Sequence, residues 1–289
     1  MNAGIRSLAA ALAALPFAAL VIASLAFRWT WPDLLPSTWW WEARGEARLP
    51  IGWDYVASPA ARAWVGLATT ATIAGAVTVV GLAIAWPAAR VLAHERFRGK
   101  AVVETLLLAP LLVPELAIAL GLATVAVQVG VAGSWWGVLL AHVVPVLPYL
   151  VRTLAAVEVG FDRDLADAAR VHGASAWDVL RYLRLPLLAP GVAASALFAF
   201  LVSAHVVVVT VLVGQGRVET TATQLFARLG GGGALDPITA AFALLMTLPG
   251  LVALVILQRV LRSQTDVAAV SRLARDPGAG ADRTRTLTP

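Results

Sequence analysis

Runs of about twenty apolar residues recur along this chain, and no other feature restricts its fold so strongly. A helix of about 20 residues is long enough to cross the hydrocarbon core of a bilayer. We therefore predict an all-α, polytopic membrane protein with about six transmembrane helices. The predicted spans are residues 8–28, 63–89, 102–128, 136–152, 189–213 and 237–258.

Composition supports a bilayer as the surrounding solvent. Hydrophobic residues make up 60% of the chain and charged residues 13%, which is more apolar surface than one soluble core would bury. The net charge of +5 does not indicate nucleic acid, because the basic residues lie in loops between the apolar runs and not on one folded face. The chain has no cysteine, which excludes disulfides, thiolate metal sites and cysteine nucleophiles.

The distribution of basic residues predicts the topology. If the N-terminus is inside, 16 of the 22 lysines and arginines fall on the cytoplasmic side, as expected for inserted helices. Both termini are then cytoplasmic. The first run, 8–28, has a cleaved signal peptide as its alternative interpretation. It is longer than the apolar region of such peptides, so we favour a retained helix.

These patterns divide the chain into four parts. We predict an N-terminal transmembrane helix in 1–30, an external loop in 31–62, a core in 63–261, and a disordered cytoplasmic tail in 262–289 that contains Asp276-Pro277-Gly278.

Tryptophans are concentrated in and beside the external loop, where an interfacial belt is favoured over an aromatic ligand cage. They are Trp29, Trp31, Trp39, Trp40, Trp41 and Trp53.

The inside loop 152–190 is unusually long, and connections of that length commonly have a function. Its first half predicts a short helix that ends at Gly173, because glycine adopts the left-handed turn without a steric penalty. Four residues of this helix have the spacing of one helical face. They are Leu165, Ala168, Ala169 and His172.

The second half of the loop predicts another helix. Ser175 and Asp178 have the spacing of a capping box, so Ser175 begins this helix, and Pro186 is expected to end it. An apolar patch completes a compact docking element. The patch consists of Trp177, Leu180 and Leu183.

The residues of this loop resemble a known family. Asp167-Ala168-Ala169-Arg170-Val171-His172-Gly173, nine further residues and then Leu183-Arg184-Leu185-Pro186 resemble the pattern E-A-A-x3-G-x9-I-x-L-P of ABC importer permeases. Asp167 stands in place of the usual glutamate and Leu183 in place of the usual isoleucine. The alternative interpretation is a solvated charge run between two spans.

The resemblance extends from Trp64 to Leu261 and is strongest to the spermidine/putrescine-type branch. It includes the basic turn 94–100, the stretch 110–114 and the stretch 186–190. It implies the type I ABC importer permease fold and a permease subunit in the bacterial cytoplasmic (inner) membrane. Permeases for sulfate, iron, thiamine and phosphonates share this skeleton, so the cargo could be a polyamine, a phosphonate or a similar small ion.

The resemblance also implies partners and site residues. The partners are a cytoplasmic ABC ATPase dimer, a second permease subunit that is identical or related, an extracytoplasmic solute-binding protein and the lipid bilayer, with no nucleic acid. The residues that would couple to the ATPase are Asp167, Ala168, Ala169, Gly173, Trp177, Leu183, Leu185 and Pro186.

No catalytic residue, metal site or cofactor is predicted on this chain. The glycine run 230–233 lacks the lysine and hydroxyl residue of a phosphate-binding loop, so we interpret it as a hinge. ATP and magnesium would bind the partner ATPase. This chain would then not be an enzyme.

Polar side chains inside predicted spans are candidates for the translocation path. Glu115 falls about 20 Å along the third span by helical rise, where it faces a cavity or, alternatively, lies beside a proline kink or at an exposed position. For His142 and His205 we favour hydrogen bonds across helices over a role in the path. The full set of path candidates is Glu115, His142, Ser203, His205 and Thr210.

A secondary transporter or channel that works without ATP is the alternative function. Such proteins have denser intramembrane charge or repeated broken helices, which the sequence does not indicate. A membrane enzyme is less consistent, because the spans contain no constellation of nucleophile, base and metal ligands. The fifth span also lacks the acids that the resembled branch carries there, which argues against a polyamine.

Overall fold

The structure is a computed structural model that describes residues 3–29, 33–45, 51–230 and 236–275, and it is predominantly helical. The first half contains α1 (Ala3–Leu25), β1 (Ala26–Arg28), β2 (Thr38–Trp39), α2 (Trp40–Ala43), α3 (Gly52–Ala57), a 3₁₀ turn (Pro59–Ala61), α4 (Ala63–His94), α5 (Lys100–Leu112) and α6 (Glu115–Gln128). The second half contains α7 (Trp135–Val159), α8 (Arg163–Val171), α9 (Ala176–Asp178), a π-helical turn (Val179–Arg184), α10 (Leu185–His205), α11 (Val208–Gly214), α12 (Thr221–Gly230) and α13 (Pro237–Arg275).

The prediction of an all-α, polytopic membrane protein is confirmed. In the described ranges, four helices are long and apolar enough to span a bilayer: α4, α7, the continuous stretch Ala176–His205, and Pro237–Arg259 within α13. The bent pair of α5 and α6 makes a fifth span if it is counted as one. Six spans were predicted, but the apolar part of α1 that qualifies, Ala14–Leu25, is shorter than a span.

The third predicted span, 102–128, is broken into two helices. α5 and α6 meet at an angle of 101° around Val113 and Pro114. Proline has no N–H to donate and disfavours the helical region at the residue before it, and Val113 accordingly has φ −87° and ψ 136°. The prediction of one uninterrupted helix was therefore wrong.

The predicted helix end at Pro186 was also wrong. The chain stays helical from Ala176 to His205, because the π-helical turn Val179–Arg184 leads directly into α10. Pro186 directly follows this π-helical turn, where the regular α-helical hydrogen-bond pattern is already interrupted, so the proline does not end the helix. The predicted span 189–213 instead breaks at Val206 and Val207, between α10 and α11.

Two spans extend beyond their predicted ends. α7 continues to Val159, well past residue 152, despite Pro145 and Pro148. α13 continues to Arg275, so residues 262–275 are helical where a disordered tail was expected. No glycine or proline occurs in that stretch to stop the helix. Asp276-Pro277-Gly278 and the rest of the tail, like residues 231–233 of the glycine run, lie outside the described residues.

The main core lies between α4, α7 and α10, with α6 and α11 packed beside them. Ile73, Val77, Leu150 and Leu154 are fully buried there. Two smaller clusters close the ends of the bundle. One surrounds Phe242 beside α3, and the other lies beneath α8. We call the end that carries α8 the loop end.

Candidate functional site

The 152–190 loop is folded by local interactions that its sequence predicts. Asp162 begins α8, because its carboxylate accepts a hydrogen bond from the backbone N–H of Asp164 at 2.9 Å. Gly173 has φ +91°, so the predicted left-handed turn after α8 is confirmed. The capping box is confirmed as well, since Ser175 Oγ accepts from the backbone N–H of Asp178 at 3.2 Å and the Asp178 carboxylate accepts from the backbone N–H of Ser175 at 3.0 Å.

A buried apolar cluster fastens this loop to the bundle. Phe161, Ala166, Val179 and Leu188 are its buried members. Leu183 packs against them, so it is not part of the exposed patch in which the sequence predicted it. The packed face of α8 is formed by Ala166 and the half-buried Ala169, and the predicted face differs because Leu165, Ala168 and His172 are exposed.

The outer surface of the loop carries exposed apolar side chains. Val171, Trp177 and Tyr182 are 85%, 62% and 67% exposed. Beside them Asp167 accepts a hydrogen bond from Arg170 at 2.8 Å, and both side chains face solvent. We call Val171, Trp177 and Tyr182 the outer patch. Tyr182 was not predicted, because residues five apart do not share a face of an ideal α-helix and the π-helical turn Val179–Arg184 was not expected. Ala168, Leu185 and Pro186 are exposed.

Three of the predicted path residues form one hydrogen-bonded group in the bundle interior. His142 Nε2 lies 2.8 Å from Thr210 Oγ1, and His142 Nδ1 lies 3.0 Å from Ser203 Oγ. The Thr210 hydroxyl donates to the Val206 carbonyl, so it accepts from the Nε2–H of the imidazole, and Nδ1 accepts from Ser203. All three side chains are buried. They join α7, α10 and α11 by satisfied hydrogen bonds.

The other two path candidates, Glu115 and His205, line one cavity of about 450 Å³. Glu115 is the exposed first residue of α6 and not a mid-span residue, because the helix breaks just before it. Tyr149 on α7 lines the same cavity. So do Val113 and Val206, which mark the two helix breaks. Both interruptions therefore open onto the same cavity.

A buried charged group at the loop end was not predicted. Arg184 Nη1 donates to Glu158 Oε2 at 2.9 Å, and the two side chains are 5% and 1% exposed. Trp86 Nε1 donates to the other carboxylate oxygen at 2.7 Å, and His94 Nε2 lies 3.4 Å from Glu158 Oε2. The Arg184 guanidinium lies 4.5 Å from the centre of the Phe161 ring.

This group was missed because α7 was expected to end at residue 152, which assigned Glu158 to a solvated loop. Two signals could have revealed it. Glu158 stands alone between Val157 and Val159 in a helical continuation of an apolar span. Arg184 is flanked by leucines.

Comparison with known proteins agrees with this geometry. Residues 78–266, more than half of the chain, match the family described as the binding-protein-dependent transport system inner membrane component. The chain belongs to this permease family. It is thus the membrane-spanning permease component of a binding-protein-dependent ABC importer and not an enzyme.

Individual relatives of the permease carry different cargoes. This chain is 32% identical over 195 residues to the spermidine/putrescine transport system permease protein PotC of Haemophilus influenzae. The alignment covers 68% of this chain and 71% of that one. Two solved structures share its fold. One is a bacterial ABC transporter involved in the import of the acidic polysaccharide alginate (TM-score 0.64, 16% identity, 89% of this chain and 94% of that one). The other is the MetNI methionine ABC transporter (TM-score 0.55, 15% identity, 69% and 94%).

The tryptophan-rich region of the permease precedes the family match, which begins at residue 78. β1 and β2 pair there as a short antiparallel ladder, and the rings of Trp39 and Trp41 stack at 5.0 Å. Trp53 Nε1 donates to Ser24 Oγ at 3.4 Å, which ties α3 to α1. Trp31 lies outside the described residues. The half-exposed rings suit a membrane interface.

Proposed function

We propose that this permease forms a pore with a second permease subunit, identical or related, and that an ATPase dimer docks on the two copies of the 152–190 loop. The outer patch is the observation that carries this proposal. An exposed apolar patch beside charged side chains is typical of a protein interaction site. The inner face of the same loop is packed against α7 and α10, so a partner bound outside would be connected to the membrane helices.

The proposed orientation places the loop end in the cytoplasm. The excess of basic residues on that side supports it and puts both termini inside. A solute-binding protein would deliver the cargo to the opposite face. ATP and Mg²⁺ would bind the ATPase subunits, because this chain has no G-x4-G-K-[ST] motif for holding them, and it would bind no cofactor of its own.

We propose that the cargo crosses at the cavity of Glu115, His205 and Tyr149 and is a small amine cation of the polyamine type. Glu115 supplies a negative charge and Tyr149 an aromatic face, and both attract an ammonium group. Helix breaks at Val113 and Val206 add backbone carbonyl groups that lack the usual helical partners. The PotC relative, named for spermidine and putrescine, supports the same class. No acid is needed in α10 if Glu115 provides the charge.

Acidic substitutions in the outer patch are expected to release the ATPase. The tagged permease would be purified from its native membranes as wild type and as Val171→Asp with Trp177→Asp. We expect Mg·ATP hydrolysis in the eluate to fall by about tenfold or more, because each charge must be desolvated in an apolar interface. Phe97→Asp is the control, since Phe97 is exposed elsewhere at the loop end and should change little.

If the wild-type eluate contains no ATPase, the docking proposal is wrong. Ion-driven transport, the alternative function, would then be tested directly in vesicles with a proton or sodium gradient. Equal ATP hydrolysis by the wild type and the patch variant would show that the ATPase does not dock at Val171 and Trp177.

Neutralising Glu115 is expected to weaken cargo transport without affecting the ATPase complex. For Glu115→Gln we expect the KM for spermidine uptake to rise by about tenfold, because a charge-assisted contact contributes about 1.5–3 kcal/mol. Glu104→Gln is the matched control, since Glu104 lines a different cavity near the loop end. Uptake of a phosphonate but not of spermidine or putrescine by the wild type would refute a cationic cargo.

A further inference from the structure

The buried carboxylate of Glu158 lies where three parts of the molecule meet. Glu158 belongs to α7, Trp86 and His94 belong to α4, and Arg184 ends the π-helical turn that leads into α10. Both Glu158 oxygens accept hydrogen bonds, one from Trp86 and one from Arg184. A single side chain therefore connects the segment 160–184 with the two helices that pack most extensively against each other.

Separation of these groups would be unfavourable. A buried carboxylate and a buried guanidinium are each costly to hold without a partner, so any motion that parts Glu158 from Arg184 leaves two uncompensated charges. Arg184 Nε has no hydrogen-bond partner among the described residues, so this guanidinium depends on Glu158 and on the Phe161 ring for its stabilisation. The low-energy motion is one in which all three parts move together.

We infer that Glu158 and Arg184 are positioning residues that hold residues 160–184 of the loop, α4 and α7 together as one body, so that a displacement of this segment reaches α4 and α7 as well as α10. The inference rests on the proposed docking of the ATPase on that loop. Without the ion pair, residues 160–184 would remain covalently joined to α7 and α10 but would move relative to α4. ATP would then be hydrolysed without a full rearrangement of the pore.

A second ion pair joins the same two regions and provides a comparison. Arg163 on α8 lies 3.2 Å from Glu95 at the end of α4, but both side chains are more than half exposed. Exposed pairs contribute little, because water and salt screen them and the side chains lose conformational freedom. The buried pair should therefore carry the connection and the exposed pair should not.

The test uses the complete importer in proteoliposomes with its ATPase and binding protein. Glu158→Gln with Arg184→Met removes both charges and keeps an acceptor for Trp86 and an apolar side chain over Phe161. We expect this double variant to retain the ATPase and its basal hydrolysis, while cargo transported per ATP falls by about tenfold. Glu95→Gln with Arg163→Gln is the control and should keep the wild-type ratio.

A cross-link distinguishes the connection from simple structural damage. The chain has no cysteine of its own. The cross-link would join cysteines introduced by Val157→Cys on α7 and Gly191→Cys on α10. An ideal Cβ on Gly191 lies 3.2 Å from Cβ of Val157, a few tenths of an ångström below the usual range of about 3.5–4.5 Å for a disulfide. Val157→Cys also removes the methyl groups that would crowd the new side chain. Oxidation of the two cysteines should leave transport intact when Glu158 and Arg184 are present. In the double variant it should restore the amount of cargo transported per ATP.

Several results would overturn the inference. Transport per ATP within about twofold of the wild type in the double variant would show that the pair has no such role. If oxidation of the two introduced cysteines abolishes transport while Glu158 and Arg184 are present, and reduction restores it, then α7 and α10 must separate during transport. Failure of the cross-link to restore the double variant would reduce the pair to a contribution to stability. Failure of the wild type to bind any ATPase would refute the proposed function itself, and the inference with it.

Discussion

Glu158→Gln alone is expected to destabilise the permease by about 3–5 kcal/mol, because it removes one partner of a buried ion pair. The substitution leaves the Arg184 guanidinium buried beside a neutral amide, with no counter-ion. The reverse substitution, Arg184→Met, should cost a similar amount because it strands the carboxylate. Thermal unfolding of the purified protein in detergent would measure both.

The double variant, Glu158→Gln with Arg184→Met, is expected to be more stable than either single variant. Replacing a whole buried pair is commonly neutral, whereas removing one partner is not. The difference between the double variant and the sum of the singles gives the coupling energy directly. Additive losses of stability would mean that the two side chains do not interact in the folded protein.

Gly173→Val is expected to abolish the stimulation of ATP hydrolysis by the binding protein. Gly173 has φ +91°, and a β-branched residue is strained in that conformation. The chain reversal that sets α8 against α9 would shift, and with it the relation of Val171 to Trp177. Stimulated hydrolysis in proteoliposomes is the measurement, with retention of the ATPase assayed on the same preparation.

Gly99→Val is the matched control for this experiment. Gly99 has φ +88° in the turn between α4 and α5, and a Cβ at either glycine would meet no other atom within 4 Å. The two substitutions therefore impose comparable strain, on the order of 1–2 kcal/mol, at two different places. If both variants lose stimulation equally, the effect is one of general stability and the coupling role of the loop is refuted.

Local chemistry made the turn and the helix cap within the 152–190 loop predictable. Gly173 as a helix end and the capping box of Ser175 with Asp178 depend on neighbouring residues alone, and both are confirmed. Apolar runs likewise predicted the spans. The interruptions of the spans were harder to foresee, because the same residue type has opposite effects: Pro114 breaks a helix, while Pro186 follows a π-helical turn inside a continuous one.

Long-range pairing could not be predicted from the sequence. Glu158 and Arg184 are 26 residues apart, and nothing in either local sequence specifies the partner. His142, Ser203 and Thr210 were identified individually. Their hydrogen bonds to one another could not be predicted, because they depend on how three helices are placed in space. Glu115 was identified as well, yet its depth was misjudged, because residue counting along a span assumes a straight helix.

The uninterrupted helix Ala176–His205 has a mechanical consequence. Its 30 residues give a length of about 45 Å, and a rigid body of that length that tilts by about 5° about one end displaces the other by about 4 Å. One terminus carries Trp177 at the solvent-facing surface of the loop, and the other carries His205 at the rim of the cavity. If an ATPase subunit docks at Trp177 as proposed, a small rotation of that subunit would shift His205 at the cavity by a distance of this order.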